Sequence, residues 1–259
     1  MPREERRSLS GRERYGRQTL RPLNCLVFIL PMLVVFHVGT AFYGSDLLAP
    51  RDINVVLRHF GATVAYLPAL LVIVALFLQH VAHRDRLRVQ ARTLAGMLGE
   101  SICWILPLIA MAHVTGRLWV HQASAAGPPA SGQAPEGASA SVMRDIVSAV
   151  GAGIYEEFIF RMVLISLMLL LLVDVFDLRK DAVTVASVIV AAVAFSLYHF
   201  SAEQFAGWGS FPWYDFVFRA LAGIYLGAVF VFRGFGIAVG VHAIYNIYTV
   251  FYHMRSGPF

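Results

Sequence analysis

Apolar residues run through this chain in long blocks separated by short polar or basic links. A helix crosses the hydrocarbon core of a bilayer with about 20 apolar residues, because it satisfies its backbone polar groups within one segment. The blocks predict spans at about 26–43, 60–81, 94–114, 142–173, 182–200, 216–232 and 236–252. The fold class that follows is all-α: a polytopic transmembrane helical bundle of about seven spans, seven or eight. The fourth block is longer than a crossing needs, so it is either strongly tilted or broken near Gly151 and Gly153.

The links divide the chain. Residues 1–22 form a basic tail with seven arginines, and residues 23–122 a three-helix transmembrane module. Residues 123–141, ASAAGPPASGQAPEGASAS, have the composition of a flexible loop. Residues 142–252 make a second transmembrane core, and 253–259 a short tail. The aromatic link at 201–215, with Phe205, Trp208, Phe211, Trp213 and Tyr214, suits a membrane–water interface. With the N-terminus inside, the inner links collect Arg84, Arg86, Arg88, Arg92, Arg179, Lys180 and Arg233. The outer links receive Arg51, Arg58, Arg117, Arg144 and Arg255, and Arg219 lies at the outer end of the sixth span. That bias predicts a cytoplasmic N-terminus. The first block is too long for the apolar region of a signal peptide and reads as a retained anchor.

Composition removes other classes. The chain is 58% hydrophobic and 14% charged, where soluble domains carry about 25% charged residues. Its net charge of +5 comes largely from arginines in the tail and at the ends of spans, which is topology rather than a nucleic-acid footprint. Cys25 and Cys103 fall in separate spans and read as two buried thiols, not a disulfide.

The chemistry concentrates at GAGIYEEFIFR, 151–161. Ionisable residues inside a span cost roughly 2.5–3.5 kcal/mol each, so Glu156, Glu157 and Arg161 together ask for a use. Glu157 and Arg161 are one turn apart and can neutralise each other. Glu156 is rotated about 100° away and faces a different neighbour. His199 ends the fifth block, and His242 and Asn246 sit one turn apart in the seventh. Counted from the span ends, these residues lie within about 15 Å of one membrane face. A carboxylate, two imidazoles and an amide at one depth suit water activation, with Glu156 as general base, His199 holding water or moving a proton, and His242 and Asn246 meeting an oxyanion. Zn²⁺ on Glu156, His199 and His242 is the alternative. Taken singly, each residue has a plainer reading as a helix–helix hydrogen-bond partner, as do His37, His80 and His113. Glu100 reads as interfacial or paired.

EEFIFR (156–161) resembles the EExxxR motif of the CPBP family, the type II CAAX prenyl endopeptidases and related bacteriocin-processing or immunity proteins. FSLYH (195–199) is similar to its FxxxH, FVFRALAGIYLGAVF (216–230) to its glycine-spaced third segment, and HAIYN (242–246) to its HxxxN. The resemblance covers about 142–252, in the family's order. It implies an intramembrane endopeptidase acting on a membrane-associated or lipidated protein or peptide, prenylated or not. Glu156 would activate water, His199 assist, and His242 and Asn246 stabilise the oxyanion, with Glu157 and Arg161 supporting. The family has been described both as metal-dependent and as metal-independent. The available hydrogen-bonding roles favour glutamate chemistry without a cofactor, with zinc as the other reading. The short spacers resemble bacterial members, which implies a multi-pass protein of a bacterial plasma membrane. The partners implied are the bilayer and a membrane substrate, and no nucleic acid.

Two other functions compete. A non-catalytic immunity or scaffold protein would use the polar residues for folding alone. A proton-coupled transporter would carry internal repeats, and none is convincing here. HExxH, GxGD and GxSxG are all missing from the sequence.

Overall fold

The computed structural model describes residues 11–43, 47, 50–53, 55, 66–84, 87–123, 138–201, 204–205 and 211–256. Most of the loop expected at 123–141 lies outside these residues, as do residues 1–10 of the tail, Trp208, and much of the link before the second expected span.

The described secondary structure is helical, without strands. A short helix α1 (Gly11–Thr19) precedes α2 (Pro22–Tyr43), α3 (Leu67–Ala82) and α4 (Ala91–Ala123). Next comes α5 (Ala138–Glu157), which continues through a π-helical stretch (Phe158–Ile165), the short α6 (Ser166–Leu169) and a second π-helical stretch (Leu170–Val175). The bundle is completed by α7 (Lys180–Leu197), α8 (Trp213–Arg233) and α9 (Phe235–Ser256).

Among the described residues, six of these segments are long and apolar enough to cross a membrane: Pro22–Tyr43, Ala91–Gly116, Ser141–Val175, Lys180–Leu197, Trp213–Arg233 and Phe235–Tyr252. The second expected span is represented by α3, which has 16 residues and is shorter than the others. Large apolar side chains such as Val34, Phe77, Leu106, Leu170 and Val185 face outward, as lipid contact demands. With the hydropathy of its spans, this makes the chain an integral, multi-pass membrane protein.

The fourth block does not break at its glycines. Gly151 and Gly153 are buried within α5, and a Cβ on Gly153 would lie 2.8 Å from the Ala243 backbone nitrogen. Glycine there lets α5 and α9 approach backbone to backbone, as small residues do between membrane helices. The irregularity comes afterwards, as wider π turns directly behind Glu157, a distortion frequent at functional sites.

Helix α9 is the centre of the bundle. Ile237, Ala238, Val239, Val241 and Ala243 are almost fully buried, so this stretch is enclosed all round. It packs on α5 most extensively, then on α4, α8 and α2. Gly234, with φ +92°, makes the sharp reversal from α8 into α9, a conformation L side chains rarely adopt.

Polar residues hold the end of the bundle where α2 begins. Arg233 pairs with Glu100 through Nε and, at 2.7 Å, through Nη2. Tyr15 and Trp104 both donate to the same carboxylate, at 2.8 and 3.0 Å. Burial and that carboxylate push the Tyr15 phenol above its ordinary range, so it remains a donor. Helix α1 is thereby tied to α4 and to the end of α8. Cys25 is buried, but Cys103 is exposed, contrary to the reading of two buried thiols. It shares the outward side of α4 with Ile102 and Leu106, where lipid rather than protein covers it.

Candidate active site

Three elements meet at the opposite half of the bundle. The end of α5 supplies Glu156 and Glu157, the turn after α7 supplies His199, and α9 supplies His242 and Asn246. The close α5–α9 approach at Gly153 and Ala243 sets the two glutamates beside His242. Glu156, His199 and His242 come together here, and Asn246 lines the same cavity. His199 differs in detail, since α7 stops at Leu197 and His199 stands in the turn beyond it.

The two glutamates face different neighbours. Glu157 and Arg161 are fully buried, with Oε1 and Nη1 3.1 Å apart. Arg161 also donates to the Gly223 carbonyl on α8 at 3.3 Å, and its guanidinium lies 4.5 Å from the centre of the Phe195 ring. Glu157 Oε1 is also 2.8 Å from His242 Nδ1. The pair therefore does not stand alone: it orients an imidazole.

Glu156 faces the histidines from the other side. Its Oε2 is 3.7 Å from His199 Nε2 and 3.7 Å from His242 Nε2. Both separations exceed a direct hydrogen bond and suit a bridging water. Each ring is fixed by its other nitrogen. His199 Nδ1 lies 2.8 Å from the Phe195 carbonyl, which can only accept, so that nitrogen carries the proton. His242 Nδ1 likewise meets a carboxylate oxygen. Both Nε2 atoms are left to face Glu156. The Phe195 ring packs edge-on against both, 4.8 Å from His199 and 5.9 Å from His242 by ring centres.

These residues open into a cavity of about 1410 Å³, lined also by Asn246, His113, Phe218, Arg219 and Tyr248. Asn246 shares the cavity with the other three, and His113 lines it after bonding its own Ile109 carbonyl at 2.8 Å. His37 takes the helix–helix role expected of it, 3.1 Å from the Tyr155 hydroxyl. His80 is buried on α3, away from the cavity lining.

Sequence reasoning missed two features. Phe195, quoted only as part of a motif, is the ring that spaces Arg161, His199 and His242. Tyr198 donates to Asp52 at 2.5 Å, so the segment after α2 reaches the turn that carries His199. Burial and the Asp52 carboxylate push the Tyr198 phenol above its ordinary range, which keeps it a donor. Leu47, from the same region, packs on Gly151 and lines the cavity.

The zinc alternative requires Glu156, His199 and His242 to act as one ligand set. Among the described residues, no group of three or more His, Cys, Asp or Glu side chains is arranged to hold a metal ion.

Residues 138–248 match the model of the family described as "Type II CAAX prenyl endopeptidase Rce1-like". That stretch contains Glu156, Glu157, Arg161, His199, His242 and Asn246. No curated protein and no solved structure matches the chain.

Proposed function

Given that residues 138–248 belong to the Rce1-like family of type II CAAX prenyl endopeptidases, we propose that this chain is an intramembrane endopeptidase in which Glu156 activates water. Its substrate is a membrane-associated or lipidated protein or peptide. The observation that carries this reading is the placing of Glu156 Oε2 at 3.7 Å from the Nε2 atoms of both His199 and His242, at the wall of a large cavity.

A water between Glu156 and His199 gives one proton to the Glu156 carboxylate. Its oxygen attacks the scissile carbonyl carbon, forming the C–O bond of a tetrahedral intermediate. Asn246 donates from its amide to the oxyanion. His242 joins it through Nε2 when the ring is an imidazolium, because Nδ1–H is already directed at Glu157. Collapse breaks the C–N bond, and Glu156 returns its proton to the leaving amine. His199, neutral with Nε2 as acceptor, holds the water in line. Glu157 and Arg161 position His242 and do not touch the reacting atoms.

The arginine bias supports a cytoplasmic N-terminus with the cavity toward the opposite face, and the short spacers between motifs fit a protein of a bacterial plasma membrane. That orientation suits a substrate presented from the outer leaflet.

The reading is tested with Glu156→Gln and His199→Ala in membranes. Both variants are expected to insert and fold like wild type while cleavage falls by at least about 100-fold, the lower range for losing a general base. Loss of folded protein in both would assign these residues to structure.

A further inference from the structure

The cavity carries one cationic side chain that the proposed chemistry does not use. Arg219, on the second turn of α8, is the only arginine or lysine among the described lining residues. Asp215 stands four residues earlier on the same helix, in the favourable order for an ion pair. Yet among the described residues Arg219 forms no ion pair. Its guanidinium instead lies over the Phe200 ring, 5.3 Å from the centre. Phe200 directly follows His199, so the cation is held beside the turn that carries the proposed water-holding imidazole.

A guanidinium on an aromatic face keeps its in-plane donors free. Those donors form a planar fork that matches a carboxylate bidentately. Arg219 is half-buried, and covering it further as an apolar peptide fills the cavity is costly unless an anion meets it. The cavity wall also carries aromatic and aliphatic side chains, among them Phe218, Leu226 and Tyr245, which suit an apolar chain. The lining carboxylates other than Glu156 are Asp145 and Asp215, so Arg219 is the position on the described wall where an anion would meet an arginine or lysine.

We propose that Arg219 is a substrate-specificity residue that binds a carboxylate of the peptide substrate, and so selects apolar peptides that present one near the scissile bond. The inference rests on the peptidase reading above. The carboxylate is either a free C-terminus or an acidic side chain, and one experiment separates them.

Binding is measured by calorimetry on full-length Glu156→Gln protein in detergent micelles, so that no probe is consumed. The first probe pair is N-octanoyl-Leu-Leu as free acid and as carboxamide. The second is N-octanoyl-Asp-Leu-amide against N-octanoyl-Asn-Leu-amide. A preference of about 10- to 100-fold for the acid is expected in one pair, the worth of a charge-assisted hydrogen bond. The pair that shows it names the source of the carboxylate. Adding Arg219→Gln should erase the preference, and Arg219→Lys should retain part of it. Equal binding within both pairs, binding of none of the four probes, or a preference that survives Arg219→Gln overturns the proposal. Peptide fragments that depend on Glu156 in cells judge the peptidase reading separately, so the two failures are distinguishable.

Discussion

His242 Nδ1 lies 2.8 Å from Glu157 Oε1, and the same carboxylate oxygen lies 3.1 Å from Arg161 Nη1. Glu157 therefore does two things with one atom. It neutralises a fully buried guanidinium and fixes the ring that faces Glu156. In the proposed mechanism the second carboxylate of the EE pair supports the site and the first does the chemistry.

That division makes Glu157 a stability residue. Glu157→Ala leaves Arg161 buried without its ion-pair partner and is expected to cost about 3–5 kcal/mol. Replacing both, as Glu157→Leu with Arg161→Met, should cost less than Glu157→Ala, because no buried charge remains. Thermal unfolding of the detergent-purified protein checks the order. A single variant as stable as wild type would show the pair to be dispensable for folding.

Tyr198 and Asp52 make a different kind of prediction. Their hydrogen bond joins the segment after α2 to the turn that presents His199, without touching the reaction. Tyr198→Phe should lower kcat by about 3- to 10-fold, the worth of one hydrogen bond, with KM nearly unchanged. Asp52→Asn keeps an acceptor for the Tyr198 hydroxyl and should therefore lose much less than Tyr198→Phe. If Tyr198→Phe raises KM and leaves kcat alone, the contact shapes the substrate cavity rather than His199.

Much of the site was legible because its residues are costly where they sit. Glu156, Glu157 and Arg161 stand out in an apolar block, and counting 1.5 Å steps from the span ends brought His199, His242 and Asn246 to the same depth. The Glu157–Arg161 pair followed from spacing alone. Its third member did not, since the bond to His242 spans 85 residues and depends on how closely Gly153 lets α5 meet α9. The Tyr198–Asp52 bond spans 146 residues and joins segments with no shared periodicity. Cys103 was misread for a related reason: hydropathy identifies a span but leaves open which of its sides faces lipid.

The metal question has a direct outcome. Glutamate chemistry needs no ion, so cleavage in the presence of excess chelator should remain within about twofold of the untreated rate, well short of the loss that follows removal of a catalytic metal's polarising charge. Full loss on chelation, restored by Zn²⁺, would replace Glu156 as general base with Glu156, His199 and His242 as ligands.

The central claim is tested most directly by proteolysis in native membranes. Wild type and Glu156→Gln are expressed at matched levels, and the membrane and secreted proteomes are compared for C-terminal fragments. The account predicts fragments that appear with wild type and vanish with Glu156→Gln, and their ends would name the substrate. Identical fragment profiles from two equally folded proteins would contradict it and favour a non-catalytic immunity or scaffold protein on the same helices.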